Sequence, residues 1–220
     1  ATGWVRISKS GASSGLLRLN STHDLQTMRA LLAAQHVPAR CVQALDAQQA
    51  SAHAGVALAQ PAWLFNEGGW AEPAALVRHA LSMPGVTWQG NAPVQSIERA
   101  ADNWRVFGND ARVIAEAPAL VLANAQDALR LALLPPHWAE RVRGQVTWIG
   151  AGDAAVVPRL PIASGGYVLP MADGRLLFGA TSRDNDDDPA VRVGDHADNL
   201  ARVAQWLGDA LTLADAVTPA

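Results

Sequence analysis

Residues 165–189 read GGYVLPMADGRLLFGATSRDNDDDP. Two short apolar runs, YVLPM and RLLFGAT, are punctuated by Ala172-Asp173-Gly174, a combination that favours the positive φ values of a tight hairpin turn. A β-hairpin is therefore expected here, with Tyr167 at its start. The second run stops at the small residues Gly179 and Ala180, then delivers Thr181, Ser182 and Arg183 ahead of an acidic run. Such a hairpin would carry Tyr167 and Arg183 close enough in space to face one target.

Upstream of the hairpin the chain begins in helical grammar. Gly15 to Leu19 is a short strand candidate. Ser21-Thr22-His23-Asp24 supplies N-cap oxygens for the amphipathic run that follows, predicting a helix from about Asp24 to Gln35. A second helix is expected over Leu45 to Ala54. Trp63 to Trp70, WLFNEGGW, breaks regular structure with its glycine pair. Glu72-Pro73 starts a third helix that runs to Met83, where Pro84-Gly85 stops it. From there the pattern turns to strands. VTWQG, PVQSIERAADNWRVFG and DARVIAEA, with turns at Gly90-Asn91, Ala101-Asp102-Asn103 and Gly108-Asn109-Asp110, predict an antiparallel meander.

The next segment, ALVLANAQDALRLALL, is an apolar strand pattern from Leu120 to Ala123, a polar loop and then a helix. A continuous apolar strand bounded this way suits a parallel sheet covered on both faces, yet the chain offers it no obvious neighbours. A strand around Arg143-Gly144-Gln145-Val146 follows. Downstream of the hairpin a C-terminal helix is expected from about Asp195 to Leu211, with Ala201, Val203, Ala204 and Leu207 along part of one face. The fold class is thus α+β: a mixed, largely antiparallel sheet flanked by helices.

Composition narrows the function. The chain has 220 residues, half of them hydrophobic, and no apolar run reaches the roughly 18 residues of a membrane span. No signal-peptide pattern opens it, and a cytoplasmic location is expected. A net charge of −3 gives no overall attraction for nucleic acid or anionic lipid, so any RNA contact would be local. The lone Cys41 forms no internal disulfide and reads as a small packed side chain. The six histidines show neither H-x-x-x-H nor H-E-x-x-H spacing, and no metal is expected. The run Asp184 to Asp188 lacks the glycine and distal glutamate of an EF-hand loop and reads as a solvated turn. Neither a G-x-G-x-x-G nor a phosphate P-loop is present. The first residue is Ala1, which raises the expectation of a piece excised from a longer protein.

Four segments in order carry a resemblance: GGWAEPAAL from Gly68, VLANAQDALRL from Val121, Val142-Arg143-Gly144-Gln145, and GGYVLP…GRLLFGATSRDNDDDPAVR. Together they resemble the FAD-dependent oxidoreductase half of the bifunctional tRNA 5-methylaminomethyl-2-thiouridine biosynthesis family, within the D-amino-acid oxidase and glycine oxidase fold group. The likeness spans about residues 15 to 210. It implies interleaved domains: 1–117 and 135–220 form a substrate-binding domain, and 118–134 returns to an FAD-binding domain whose other parts lie outside the chain. The methyltransferase half, with its S-adenosylmethionine, would be absent.

The resemblance also implies roles. Tyr167, Arg183, Thr181 and Trp70 would face the substrate, Arg183 being able to grip an anion bidentately. Val94, Asn124, Arg143, Gly144 and Gln145 would meet FAD. The implied chemistry is oxidation of a secondary amine on a tRNA wobble uridine: hydride leaves for the flavin, the imine hydrolyses and glyoxylate departs, with no side-chain base required. The isolated chain would be inactive and would bind little FAD, for want of the glycine loop at a helix N-terminus. Two alternatives stay open, a glycine or sarcosine oxidase of the same fold and a non-catalytic binding module. The sequence departs from the family at Ala125, where glycine is common, and at Ser182, where an aromatic often follows GAT.

Overall fold

The computed structural model describes residues 11–12, as backbone, and 15–208. The strands in chain order are β1 (Gly11–Ala12), β2 (Leu16–Leu19), β3 (Val42–Leu45), β4 (Ala62–Phe65), β5 (Trp70–Ala71), β6 (Val94–Ala100), β7 (Asn103–Gly108) and β8 (Val113–Ala117). They continue with β9 (Val142–Arg143), β10 (Val146–Ile149), β11 (Ile162–Ser164), β12 (Gly166–Pro170), β13 (Leu176–Gly179) and β14 (Arg183–Asp184). The helices are α1 (Leu25–Ala34), α2 (Ala47–Ala54), α3 (Pro73–Leu81), α4 (Asp127–Leu131) and α5 (Val193–Leu207). The described residues divide into two compact units, the larger including 15–78, 144–182 and 189–208, the smaller 79–143 and 183–188.

The larger unit is built on a seven-stranded sheet in the order β10-β13-β12-β11-β2-β4-β3. Every neighbouring pair is antiparallel except β11 with β2, which runs parallel with Ile162 opposite Leu17. Period-two alternation turns one face inward: Leu17, Ala62, Ile149, Ile162, Val168, Leu176 and Phe178 are fully buried. Ala50 and Ala54 of α2 and Val203 and Leu207 of α5 complete that core. The mixed, largely antiparallel sheet with helices is the architecture expected from the sequence.

Local chemistry explains the helices. Asp24 caps α1 by accepting from the Thr27 N–H at 2.7 Å. Asp46 and Gln49 form a reciprocal capping box at the start of α2, which ends on Gly55 at φ 71°. The expected hairpin forms as β12 and β13, with Tyr167 opposite Gly179. Its turn closes through Gly174 at φ 84°, and Asp173 accepts from the Arg175 N–H.

The smaller unit carries the meander β6-β7-β8. It is laced by cross-strand pairs: Arg99 lies over the Trp104 ring at 5.4 Å, and Glu116 accepts from Arg105 and Asn103. β9 pairs with β14, placing Arg143 opposite Arg183.

Several expectations need correction. Leu120–Ala123 is not a strand; the segment is non-helical and has no ladder partner among the described residues, and Val121 is 85% exposed. Val86–Gly90 also stays out of the sheet, with Trp88 68% exposed. Conversely, Ala62–Phe65 is a strand paired on both sides, with Ala62 and Leu64 buried in the core despite the glycine pair that follows. The strand expected around residues 143–146 is split at Gly144-Gln145, whose backbone turns to Thr181 instead. On α5, Ala201 and Ala204 are exposed, and the inward face is Asp195, His196, Asn199, Val203 and Leu207. Residues 209–211 of the expected helix lie outside the described residues. Among the described residues no helix is long and apolar enough to cross a membrane, and no cluster of histidine, cysteine or carboxylate side chains is arranged to hold a metal ion.

Candidate functional site

The expected site residues fall into three groups and one outlier. In the larger unit, Tyr167 is half-buried on β12 between Ala163 and Gly179. Two residues past Gly179 is Thr181, which is buried and exchanges hydrogen bonds with Gln145: the Thr181 N–H donates to the Gln145 carbonyl, and the Gln145 N–H donates to Thr181 Oγ1, both at 3.1 Å. Gly144 is exposed beside them; a Cβ there would lie 3.2 Å from the Thr181 carbonyl oxygen. The structure therefore gathers Tyr167, Thr181, Gly144 and Gln145 around the end of the hairpin.

In the smaller unit, Arg143 and Arg183 face each other across β9 and β14, and Arg143 Nε donates to the Asp188 carbonyl at 2.7 Å. Arg141 pairs with Asp187 at 2.6 Å, so the acidic run is organised by arginines. The third group is held by Arg130, a residue the sequence reading did not single out. Its guanidinium donates to the carbonyls of Val94 and Gln95 and to both carboxylate oxygens of Asp127, which also accepts from Asn124. The Arg130 hydrogen bonds hold the Asp127 carboxyl below the ordinary aspartate range, and the carboxylate raises Arg130 further. Val94 and Asn124 are thus joined, 30 residues apart in sequence, through one ion pair at the start of α4.

Trp70 stands apart on β5, half-buried, with its indole N–H buried and unpartnered among the described residues. Ser182 is exposed. Ala125, at the family's glycine position, adopts φ 51°, the left-handed region that glycine occupies without steric penalty.

Sequence reasoning missed a buried polar cluster beneath this site. Asn199 and Thr147 are fully buried, and His196 is 8% exposed. Thr147 Oγ1 lies 2.9 Å from His196 Nδ1, and Asn199 Nδ2 donates to the Gln145 carbonyl and to Thr147 Oγ1. A polar residue at 199, four before Val203 and eight before Leu207, sits on the apolar stripe of α5. That spacing was the available signal.

Two glycine patterns lie in local structures unlike those their motifs need. Gly150-Ala151-Gly152-Asp153-Ala154-Ala155 follows β10 in the manner of a dinucleotide loop, but it runs into turns rather than a helix. Gly11-Ala12-Ser13-Ser14-Gly15 spells the G-x-S-x-G of hydrolases, but Gly15 leads into β2 where the elbow needs a helix; Ser13 and Ser14 lie outside the described residues. The described residues therefore do not fit the diphosphate end of a dinucleotide, which requires a helix N-terminus behind a glycine turn.

An open mixed sheet with an interrupted second unit defines the class. Residues 7–219 match the model of the FAD dependent oxidoreductase family, and the chain belongs to that family. It is 41% identical over 216 residues to the tRNA 5-methylaminomethyl-2-thiouridine biosynthesis bifunctional protein MnmC of Methylibium petroleiphilum, covering 94% of this chain and 33% of that protein. To the protein of the same name in Paraburkholderia xenovorans it is 35% identical, covering 99% of this chain and 34% of the other. The chain spans about a third of the length of these curated relatives. Among solved structures, glycine oxidase from Geobacillus kaustophilus superposes with a TM-score of 0.73 at 23% identity, over 93% of this chain and 57% of that one, a likeness of fold.

Proposed function

We propose that the protein carrying this chain oxidises the carboxymethylaminomethyl group of a wobble uridine, or its 2-thio form, in tRNA, leaving the aminomethyl base and releasing glyoxylate. The observation that carries this reading is the 41% identity to a protein named for that pathway, sustained over 94% of the chain. FAD, when bound, supplies the two-electron acceptor for the carbon beside the amine nitrogen. Tyr167 and Thr181, together at the hairpin end, receive the substrate, and Arg183 grips its carboxylate or a phosphate; Trp70 supplies an aromatic face. Gly144, Asn124, Arg143 and the Val94 backbone lie toward the cofactor.

In this reading residues 118–134 complete an FAD-binding domain formed by other parts of the full protein, and 1–117 with 135–220 form the substrate domain. The exposed Val121 and the 91% exposed Leu133 support it, because apolar side chains so placed are ordinarily covered by another layer. S-adenosylmethionine would belong to a methyltransferase half, tRNA would be the macromolecular partner, and the location would be cytoplasmic.

The test uses the full-length flavoprotein, tRNA bearing the carboxymethylaminomethyl base, and glycine and sarcosine as competitors. Glyoxylate release with conversion of the tRNA nucleoside is expected, with little turnover of the free amino acids; the reverse preference sinks the proposal. Tyr167→Phe and Arg183→Ala are each expected to lower kcat/KM by about tenfold or more, the worth of one substrate hydrogen bond, at unchanged flavin content. Parallel loss of flavin would remove both residues from the substrate side.

A further inference from the structure

The loop after β13 is held from two sides. On one side is Gln145, 7% exposed, whose four polar groups all have protein partners. Its backbone exchanges two hydrogen bonds with Thr181, as described above. Its side-chain amide grips the backbone of Arg192, the residue before α5: Oε1 accepts the Arg192 N–H at 2.9 Å, and Nε2 donates to the Arg192 carbonyl at 2.8 Å. Asn199 Nδ2 donates to the Gln145 carbonyl at 2.9 Å, tying the same point to the middle of α5.

On the other side is Arg202, one turn further along α5. Its Nη1 donates to the Ala180 carbonyl at 2.7 Å, a bond assisted by the guanidinium charge. The Arg202 stem and the Trp206 ring press on Gly166, where a Cβ would lie 3.2 Å from Arg202 Cδ and from Trp206 Cη2 and would run into the Gly179 carbonyl oxygen. Gly166 directly precedes Tyr167. One helix thus fixes both sides of the hairpin end, Ala180-Thr181 through hydrogen bonds and the start of β12 through packing.

We propose that Arg202 and Gln145 are positioning residues of the substrate site: together they set the placement of Thr181 against Tyr167. Gln145 thereby acts through Thr181 and α5, in place of the cofactor contact that its motif implies. The inference rests on the reading that Tyr167 and Thr181 face substrate.

The experiment compares the full-length flavoprotein with Arg202→Met, which keeps the stem and removes the donor, and with Arg202→Lys, which restores a cationic donor. Hydrogen exchange of the peptide spanning residues 179–182 reads the clamp without substrate; KM, kcat and flavin content read its consequence. In Arg202→Met the Thr181 amide is expected to exchange about tenfold faster, and KM for the carboxymethylaminomethyl tRNA to rise about tenfold, with kcat changed less than about twofold, as loss of one charge-assisted hydrogen bond dictates. Arg202→Lys is expected to recover most of both. Unchanged exchange, a fall in kcat at constant KM, or a lysine variant no better than methionine would overturn the proposal. Should the methionine variant fail to fold, Arg202→Leu carries the same readouts, and an unprotected Thr181 amide in the wild type would itself overturn the clamp. If the wild type oxidises no such tRNA, the proposed function falls while the exchange measurement still decides the clamp.

Discussion

The two units handle left-handed backbone in different ways. In the larger, such φ values fall on Gly15, Gly55, Gly152, Gly174 and Gly208, with His36 as the exception; in the smaller they fall on Asn91, Ala101, Ala111, Ala125, Leu133 and Asn185 besides Gly85. An L-residue in that region costs about 1–2 kcal/mol. The cores differ in the same direction. Nearly all buried apolar side chains belong to the seven-stranded unit, while among the described residues the smaller unit contributes Leu131. The larger unit is therefore held by packing, whereas the smaller relies on ladder bonds and exposed ion pairs such as Arg105–Glu116 and Arg130–Asp127. The smaller unit thus combines little core with left-handed backbone at residues other than glycine.

The largest expected effect tests the packing side of this contrast. Phe178→Ala, at a fully buried site, should destabilise the protein by about 3–5 kcal/mol, against on the order of 1 kcal/mol for Val106→Ala on the half-buried meander. Urea unfolding of the full-length variants measures both, and equal losses would break the contrast. Next is the glycine pair ahead of Tyr167. Gly166→Ala forces a Cβ against the Gly179 carbonyl and should cost about 1–3 kcal/mol, whereas Gly165→Ala meets nothing within 4 Å and should stay within about 0.5 kcal/mol of wild type. A tolerated Gly166→Ala would remove the close approach that the further inference uses.

The contrast also accounts for what was legible in the sequence. The hairpin, α1, α2, α3 and the meander were readable because each carries its own local signal: Asp173-Gly174 in the turn, Asp24 and Asp46 as caps, Pro73 at a first turn. β3, β4 and β11 were not, because their strand character comes from pairing with partners far off in sequence, such as Ile162 with Leu17. Leu120–Ala123 failed in the opposite sense: its apolar run reads as a strand, but it finds no ladder partner among the described residues. The placement of Tyr167 opposite the end of the second strand was legible because a hairpin fixes its own register. The Gln145, Thr147, Asn199 and Arg202 network was hidden because it joins residues more than 20 positions apart through a helix whose polar inward face contradicts simple amphipathic reading.

The strain side of the comparison predicts smaller changes of opposite sign. Ala125→Gly relieves a left-handed alanine, and after allowing for glycine's greater freedom in the unfolded chain it should stabilise by about 0.5–1 kcal/mol. Gly174→Ala, which imposes the same strain on the hairpin turn, should destabilise by about 1 kcal/mol. If both substitutions move thermal unfolding the same way, the φ values of the two units do not carry the difference.

The smallest effect lies in acid. Asp127 in the smaller unit and Asp173 in the larger are both held below the ordinary aspartate range, the first chiefly by hydrogen bonds from Arg130, the second by the Arg175 N–H and guanidinium. A carboxyl whose folded pKa is depressed stabilises the folded state above its unfolded pKa and loses that contribution as pH falls through the folded value. For both residues the loss begins near pH 4 and deepens below it. Asp127→Asn and Asp173→Asn should each flatten the acid limb of a stability-against-pH curve and leave the curve at pH 7 nearly parallel to wild type. Both pairs are solvent-exposed, so added salt should shrink either effect. Their structural reach differs: Arg175 also stacks on Trp148 at 4.4 Å, so the hairpin turn keeps a second hold on it. Arg130 instead bridges α4 to the Val94 and Gln95 carbonyls. Hydrogen exchange at β6 should therefore respond to Asp127→Asn at neutral pH, where the wild type keeps its carboxylate, and converge with wild type in acid, while exchange at β13 should barely respond to Asp173→Asn, since a unit that leans on exposed ion pairs loosens when one is removed and a packed unit does not.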